Sequence, residues 1–314
     1  MRCLTFRRNE LALLALGFFL IPITHSRAQD VRVETQQQAR TRAENVFEQE
    51  APTQEEVRDP ELGEINLVSR APRPKMFTFF TLQTLNYTSN AFLVPDGVQD
   101  ATYWNGRVGA SFIPYATRDF TPQLTISQDW FRYNRFSDLD FDAQNVQLNV
   151  KYDLNRDDTW YVNGSYLVSR LSSPDDSIGE FYRYGILNAS VTHLLQLKTA
   201  PVGLGLNGGS YWRHGDPSSS DRVSVYLNVA AIYNISETIQ LSGFTRPEFQ
   251  HYTHDPAGSR DDLNVTVGAS LSWTPNQYVA LAATASYIGN LSNVDERRYD
   301  VVTPSLILGA QFAF

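Results

Sequence analysis

The chain is nearly free of cysteine. Its only cysteine, Cys3, lies within the first 28 residues, which have the features of an export signal. Once that segment is removed, the remaining sequence holds no thiol. We therefore expect no disulfide, no thiolate metal ligand and no cysteine nucleophile.

Long apolar runs and excess positive charge are also missing. No stretch after Ala28 approaches 18 consecutive apolar residues, so we expect no transmembrane helix in the mature chain. The 34 Asp and Glu outnumber the 26 Lys and Arg, which gives a formal net charge of −8 at pH 7. This acidic balance argues against a nucleic acid partner.

The N-terminal segment predicts a secretory signal peptide over residues 1–28. Basic residues precede an apolar run at 11–23, and this run is short for a membrane-spanning helix. Ser26 and Ala28 place small residues at positions −3 and −1 of a cleavage site after Ala28. An uncleaved anchor is the alternative. Cleavage would take the formal charge from −8 to −11.

Residues 29–75 are polar and contain four prolines and a run of three glutamines at 36–38. Such a composition cannot bury a core, so we expect a polar, largely disordered periplasmic extension. Two alternatives remain open. A marginal helix could form over 32–50, which lacks Pro and Gly, or the segment could enter a barrel as a plug. Its few large apolar side chains disfavour the plug.

From residue 76 onward the apolar residues recur at every second position. Between 263 and 273 the odd positions hold Leu, Val, Val, Ala, Leu and Trp, whereas the even positions hold Asn, Thr, Gly and Ser. The last strand similarly places Leu306, Leu308, Phe312 and Phe314 on one face. This period of two predicts strands with one face in lipid and the other in a polar interior.

The fold class predicted for 76–314 is an all-β, transmembrane, antiparallel up-and-down β-barrel of about twelve strands. Each predicted strand reaches the roughly 9–11 residues that a tilted strand needs to cross a bilayer. The predicted strands are 76–89, 101–113, 120–135, 143–154, 158–171, 180–195, 201–214, 222–234, 238–252, 261–274, 277–290 and 300–314.

The connections between these segments alternate between short and longer polar stretches, as expected for periplasmic turns and outer loops. With an even number of crossings, the barrel begins at Met76 and ends at Phe314 on the same, periplasmic side. The predicted location is the outer membrane of a Gram-negative cell, with outer-membrane lipid and the barrel-assembly machinery as partners.

Aromatic residues fall where the two membrane interfaces would lie. None of the five tryptophans sits in the middle of a predicted strand, so we expect them to form the aromatic girdles of the barrel. The terminal Phe314 is a candidate assembly signal. The candidate girdle residues are Trp104, Trp130, Trp160, Trp212 and Trp273.

A few positions break the pattern. Pro122, Pro247 and Pro304 fall within predicted strands, where a residue without an N–H predicts a bulge or a shifted boundary. The segments 76–89 and 180–195 alternate poorly, which predicts in each either a register change or a strand boundary displaced by a few residues.

Residues 85–92 read Leu-Asn-Tyr-Thr-Ser-Asn-Ala-Phe. This stretch resembles the opening strand of porin-like outer-membrane β-barrels, a broad group that includes proteins found beside exopolysaccharide genes. The terminal aromatic residue is similar to the signal read by the barrel-assembly machinery. Together the matches cover about eight residues at one end and one residue at the other. The resemblance implies a membrane location and a barrel shape rather than a particular activity.

The sequence offers little for catalysis. Ser89-Asn90 also resembles a motif of outer-membrane lipid hydrolases, but Tyr87 occupies the place of the histidine that would activate the serine. We therefore expect no enzyme, no catalytic residue and no cofactor.

Two clusters have the residue types of metal ligands. Residues 138–142 space three aspartates like the start of a calcium loop, but Ala143 stands in the place of the expected glycine. His251, His254 and Asp255 form a second cluster that lacks a fourth ligand. We expect no metal site, and read residues 138–142 as a solvated loop.

Charged side chains on the predicted inner faces indicate a polar lumen with a slight cationic bias. This favours porin-like passive passage of small hydrophilic solutes, neutral or anionic. One alternative is an export barrel for polysaccharide or polypeptide, plugged or docked to periplasmic partners by 29–75. Another is a packed barrel that does not conduct. The candidate pore-lining residues are Arg107, Asp129, Lys151, Arg213, Arg246 and Glu248.

Overall fold

The computed structural model describes residues 30–40, 75–155, 159–175, 179–196, 202–256 and 258–314. Within these ranges, no helix is long and apolar enough to cross a membrane. The predicted signal peptide at 1–28 and most of the predicted extension, residues 41–74, lie outside the described residues.

Twelve strands make up the body of the protein, and their boundaries follow the predicted ones to within about two residues. They are β1 Phe77–Thr88, β2 Ala101–Phe112, β3 Phe120–Tyr133, β4 Phe141–Asp153, β5 Trp160–Ser172, β6 Glu180–Gln196, β7 Val202–Asp216, β8 Arg222–Asn234, β9 Ile239–Tyr252, β10 Arg260–Asn276, β11 Val279–Ser292 and β12 Tyr299–Ala313.

Each strand pairs antiparallel with its sequence neighbours, and β1 pairs with β12 to close the barrel. The seam aligns Thr78 with Ala313 and Asn86 with Ser305. At its end, Phe77 and Phe314 exchange two backbone hydrogen bonds of 3.0 Å. The predicted all-β barrel of twelve antiparallel strands is confirmed.

The two ends of the barrel differ. Three short 3₁₀ turns, at Ser137–Leu139, Ser218–Ser220 and Asp295–Arg297, lie at one end, here called the loop end. Both Phe77 and Phe314 lie at the other, the terminal end. The length difference between the two sets of connections is weaker than predicted, because β4, β7, β10 and β11 extend further toward the loops than expected.

Side chains alternate strictly between the outside and the lumen. In β12 the side chains of Leu306, Leu308 and Phe312 are exposed, while Val301 and Ile307 are buried. In β10 the exposed set includes Leu263, Val267 and Leu271, as the sequence predicts. The exterior is therefore an apolar belt, and the polar side chains face one another inside.

The prolines do not produce the predicted bulges. Pro247 pairs in register with Val265 on one side, and on the other the β8–β9 ladder keeps its register across a gap at this position. Pro304 pairs with Ala285, just beyond the last aligned pair of the seam. Pro122 lies beyond the end of the β2–β3 ladder. Each proline thus directs its missing N–H to a side where no ladder bond is required.

The predicted register change in β1 is wrong, whereas the one in β6 is confirmed near the loop end, where the β5–β6 ladder shifts register between the pairs Leu171–Tyr182 and Ser172–Glu180. In β1 the odd positions stay outside throughout, so Gln83 faces outward and accepts a hydrogen bond of 3.0 Å from the Trp104 indole. In β6, Arg183 faces outward near the loop end and pairs with Glu180 at 3.0 Å. Both polar side chains find local partners. β1 keeps its phase throughout, and β6 keeps its phase from Tyr182 toward the terminal end.

Residues 30–40 are helical throughout and lie inside the barrel. This helix, α1, differs from the predicted disordered periplasmic extension, and its position matches the plug alternative. The expectation failed because it counted apolar residues in the segment alone. Val31 and Val33 suffice, since the barrel wall supplies the remaining apolar surface.

Candidate functional site

The lumen near the loop end is lined by aromatic and apolar side chains that receive α1. Val31 and Val33 are buried in this cluster, with exposed fractions of 3% and 0%. A helix this short is marginal in water, so its stability must come from packing. The wall residues of the cluster include Tyr103, Phe131, Leu139, Phe141, Leu171, Tyr182 and Tyr184.

The helix runs from the loop end toward the middle of the lumen. At its first turn, Asp30 pairs with Arg297 at 2.8 Å and accepts a hydrogen bond of 3.2 Å from Ser220; both partners belong to 3₁₀ turns of the loop end. Arg32 donates a hydrogen bond to the backbone carbonyl of Asp138, which lies in the remaining 3₁₀ turn of the loop end, Ser137–Leu139. Ala39, further along, borders a cavity lined by mid-strand residues.

The amide of Gln36 joins the helix to three strands. Its Nε2 donates to Asn145 Oδ1 at 3.1 Å on β4 and to Ser169 Oγ at 3.2 Å on β5. Its Oε1 accepts from the Tyr184 hydroxyl at 2.7 Å on β6. All four side chains are buried, so this polar contact is satisfied on both its donor and acceptor sides.

Glu34 forms the charged contact between helix and wall. Its Oε1 lies 2.6 Å from Arg222 Nη1 and 3.5 Å from Arg213 Nη1. Both arginine side chains have exposed fractions of 0%. One turn further on, the Gln37 amide oxygen accepts hydrogen bonds from the same two arginines. Together Glu34, Gln37, Arg213 and Arg222 form what we call the arginine seat.

The arginines of the seat depend on the helix for a counter-charge. Arg107, Arg246 and Arg260 each pair with a wall carboxylate at 2.5–3.0 Å. Among the described residues, the only carboxylate within 4.0 Å of Arg213 or Arg222 is that of Glu34. An unpaired charge in such a buried place is costly. The wall is therefore electrostatically complete only when the helix is bound.

The pKa of Glu34 reflects this arrangement. Burial raises it, but Arg222 and Arg213 outweigh burial and hold the pKa below its ordinary value of 4.5. Asp30 shifts the other way, because burial raises its pKa by more than Arg297 lowers it. At neutral pH Glu34 is thus the anion that the seat stabilises.

Little space remains beside the helix. One cavity of about 30 Å³ borders Glu34, Gln37 and Gln38, and a second of about 10 Å³ borders Ala39. A single water needs about 10–15 Å³ of such space, so the first cavity has room for about two waters and the second for one at most. α1 and the wall residues that contact it thus occupy part of the lumen near the loop end.

The six predicted lumen residues all have inward positions. Arg107 and Asp129 form a pair with contacts of 2.6 and 3.0 Å. Arg246 and Glu248 form a second pair at 3.0 Å. Arg213 lies in the arginine seat. Lys151 lies near the terminal end, where its Nζ pairs with Asp153 at 2.8 Å. Whether these residues line a conducting path stays a prediction.

The predicted girdle residues all point outward. Trp104, Trp130 and Trp212 lie near the loop end, and Trp160 and Trp273 near the terminal end. Phe314 also points outward and stacks with Phe79 at 5.9 Å between ring centroids. The roles of these residues at membrane interfaces and in assembly stay predictions.

The weaker candidates do not converge on a site. His251 pairs with Asp261, His254 with Asp221 and Asp255 with Arg260, so the predicted cluster is divided among three partners. The carboxylate of Asp140 accepts a bond from the Tyr133 backbone instead of facing its neighbours. Within the described ranges, no group of three His, Cys, Asp or Glu could hold a metal ion. The Ser89 hydroxyl accepts a bond from the Val302 backbone.

Sequence reasoning missed most of the arginine seat. Arg222 follows the same phase as Ser224 and Tyr226, so extending the β8 alternation by one step would have placed it in the lumen. Tyr211 is likewise in phase with Arg213. No signal in the sequence identified Glu34 among the many polar residues around it.

The chain matches no protein-family model and no curated protein sequence. Among solved structures it is similar to the COG4313 outer membrane channel from Pseudomonas putida F1, with a TM-score of 0.55 and 13% identity over 76% of this chain and 96% of that chain. It is also similar to the translocator domain of the autotransporter NalP from Neisseria meningitidis, with a TM-score of 0.50 and 11% identity over 90% of this chain and 98% of that chain. These likenesses show that the fold is that of outer-membrane β-barrels.

Proposed function

We propose that the chain is an outer-membrane channel for small hydrophilic solutes that is closed from within by its own N-terminal helix. In this proposal the loop end faces the outside of the cell and the terminal end faces the periplasm. Solutes cross passively when α1 leaves the lumen. Selection then depends on the width of the lumen and on its charges.

The single observation that supports this proposal is the arginine seat. A wall built only to be packed would pair its own charges, as Arg107 and Arg246 do. Instead, two buried arginines receive their counter-charge from a segment outside the barrel wall. A contact of this kind can be made and broken without disturbing the strand ladders. It therefore suits a removable plug.

Other features agree with a membrane channel. The exterior carries exposed apolar residues on every strand, and an aqueous exterior would not favour such a belt. One of the similar structures is described as an outer membrane channel. We propose outer-membrane lipid and the barrel-assembly machinery as partners, and a role without catalysis. The division into a signal at 1–28, an extension at 29–75 and a barrel at 76–314 is part of this proposal.

Conductance in planar bilayers tests the plug. Glu34→Lys places a third positive charge in the seat of the full mature chain. Leaving buried charges uncompensated costs about 3–5 kcal/mol, which corresponds to a shift of about 100-fold or more in the docking equilibrium. We expect rare openings for the wild type and frequent openings for the variant.

Two further variants control the experiment. Glu237→Lys makes the same charge change at an exposed turn of the terminal end, and we expect it to behave like the wild type. Combining Glu34→Lys with Arg222→Glu restores opposite charges in the seat and should lower the open fraction again. Equal conductance for the wild type and Glu34→Lys would contradict the plug.

An export role is the second candidate, and the direction of α1 favours it. The helix begins at the loop end and runs inward, as would a segment whose N-terminal side had passed outward through the barrel. A small folded reporter fused ahead of Asp30 tests this candidate. Export predicts that protease added to intact cells digests the reporter, and full protection of the reporter would reject it.

A further inference from the structure

We infer that the arginine seat is a binding site for small hydroxylated carboxylates, and that Glu34 occupies it as an internal substitute for such a solute. This inference rests on the proposed channel function and names the class of solute. It depends on the chemistry of the seat, on the order in which polar groups are arranged around it, and on two arginine nitrogen atoms that lack a hydrogen-bond partner among the described residues.

The seat is built to bind a carboxylate. Arg222 reaches one Glu34 oxygen at 2.6 Å, and Arg213 approaches the same oxygen at 3.5 Å. The Arg222 guanidinium is fixed from behind, because its Nε and Nη2 donate to the Tyr211 hydroxyl and its Nη1 to the Tyr252 hydroxyl. Planar guanidinium groups held in this way recognise planar carboxylates.

Glu34 does not satisfy the seat completely. Arg213 Nε and Nη1 are buried and lack a hydrogen-bond partner among the described residues. A carboxylate carried by the helix backbone approaches Arg213 only to 3.5 Å. A free carboxylate is not restricted by a helix, so it can settle between the two arginines. The unused donors point to a ligand that fits better than Glu34.

The polar groups around the arginine seat indicate which other groups the ligand carries. Gln37, one helical turn after Glu34, exchanges hydrogen bonds with Tyr211 and with the two arginines. Side chains three positions apart on a helix lie about 5–6 Å from each other. A solute that replaces both would carry hydroxyls about that distance from its carboxylate. A monosaccharide acid meets this requirement.

Competition links binding to opening. The helix and the solute cannot occupy the seat together, so a bound carboxylate leaves Glu34 without its partners and favours release of α1. Neutral solutes of the same size lack the group that displaces Glu34. The channel would therefore open more readily for its own class of solute.

Calorimetry on the full mature chain in detergent tests this site, with D-glucuronate as the ligand and D-glucose as the neutral match. In Glu34→Gln the arginines lose their internal anion. We expect glucuronate to bind this variant at least 10-fold more tightly than glucose, and at least 10-fold more tightly than it binds the wild type. Equal binding of the two sugars to Glu34→Gln would overturn the inference.

Further substitutions in the Glu34→Gln background identify the residues. Arg222→Gln should abolish the preference for glucuronate, and Arg222→Lys should weaken it if the glutamine variant fails to fold. Lys151→Gln removes a lumen charge outside the seat and should leave the preference unchanged. If Lys151→Gln in the Glu34→Gln background abolished the preference, the charges of the lumen would be attracting glucuronate in general, and the site would be rejected.

The result of the binding experiments can be distinguished from the result of the conductance experiments that test the proposed function. Selective binding without any conductance in Glu34→Lys would reject passage of solutes and retain the site. Conductance without selective binding would retain the channel and reject the site.

Discussion

At the residue scale, Glu34 decides how the plug responds to acid. Its pKa is lower when docked than its ordinary value of 4.5, so its contribution to docking is fully present above pH 4.5. The contribution is lost as the pH falls through the lowered pKa of the docked state. Asp30 acts in the opposite sense, because its docked pKa is raised above 3.8.

The acid response of Glu34 can be measured in a variant that lacks the opposing carboxyl group of Asp30. In an Asp30→Asn background, we expect the open fraction to rise as the pH falls below 4.5, because protonated Glu34 no longer binds Arg213 and Arg222. Adding Glu34→Gln to that background should give an open fraction that is high and independent of pH over this range. Bilayer recordings from pH 7 to pH 3 measure both variants. Identical pH profiles would refute the role of Glu34.

In the proposed channel, the charges of the lumen set the selectivity of the open state. Arg213→Glu together with Arg246→Glu replaces two lumen cations by anions, so the open channel should shift toward cations. The first substitution also repels Glu34 and releases the helix. The reversal potential in a salt gradient measures the shift, with Glu34→Lys as the open-state reference. An unchanged reversal potential would reject both positions as pore-lining.

At the element scale, the proposed opening requires α1 to move as a unit with respect to the wall. Its first turn contacts the loop end through Asp30 and Ser220, whose side-chain oxygens lie 3.2 Å apart. Residues 29–314 contain no cysteine, so in a chain without residues 1–28 cysteines at these two positions would be the only ones. A tether between them would hold the helix in the lumen.

A reversible tether gives a direct prediction. In the Glu34→Lys channel, Asp30→Cys and Ser220→Cys joined by a short bifunctional methanethiosulfonate reagent should abolish the openings. Dithiothreitol should restore them. Each single cysteine treated alone should leave the openings unchanged. Persistent openings after verified cross-linking would show that the current does not pass through the space that α1 occupies.

The strands were predictable from the sequence because the side chains of each strand alternate between an apolar exterior and a polar lumen. Boundaries such as that of β8 at Arg222–Asn234 match the prediction at both ends. The prediction of bulges at the prolines was wrong because a missing N–H matters only where a neighbouring strand needs it. Which side of a strand is paired at each position is not visible in a single sequence. A helix over 32–50 was one of the open alternatives, but its burial could not be predicted, since Val31 and Val33 acquire their partners only from distant strands.

At the scale of the whole molecule, the seam between β1 and β12 completes the barrel. The aromatic ring of Phe314 contacts those of Phe77 and Phe79 there, with centroids 6.0 and 5.9 Å apart. No pattern in the sequence marks the arginine seat in the way that the terminal aromatic residue marks the seam. Arg213 was predicted to face the lumen, but its dependence on Glu34 crosses more than half of the chain length.

The terminal residue gives a prediction for assembly. Phe314→Ala removes both ring contacts at the seam, so we expect less folded barrel in the outer membrane, measured by heat-dependent mobility on gels. Phe312→Ala removes a similarly exposed ring whose contact is with Tyr278 instead. We expect it to have the smaller effect. Equal yields for the two variants would remove the special role of the last residue.

The reciprocal bonds between Phe77 and Phe314 bring the first and last strands side by side. The wall is therefore suited to circular permutation, with a short linker across this junction and new ends opened between two strands of the loop end. Such a permuted chain would keep all twelve ladders and lose its covalent link to the plug. Residues 30–40 could then be added in trans as a synthetic peptide, and closure of the channel would become a titration.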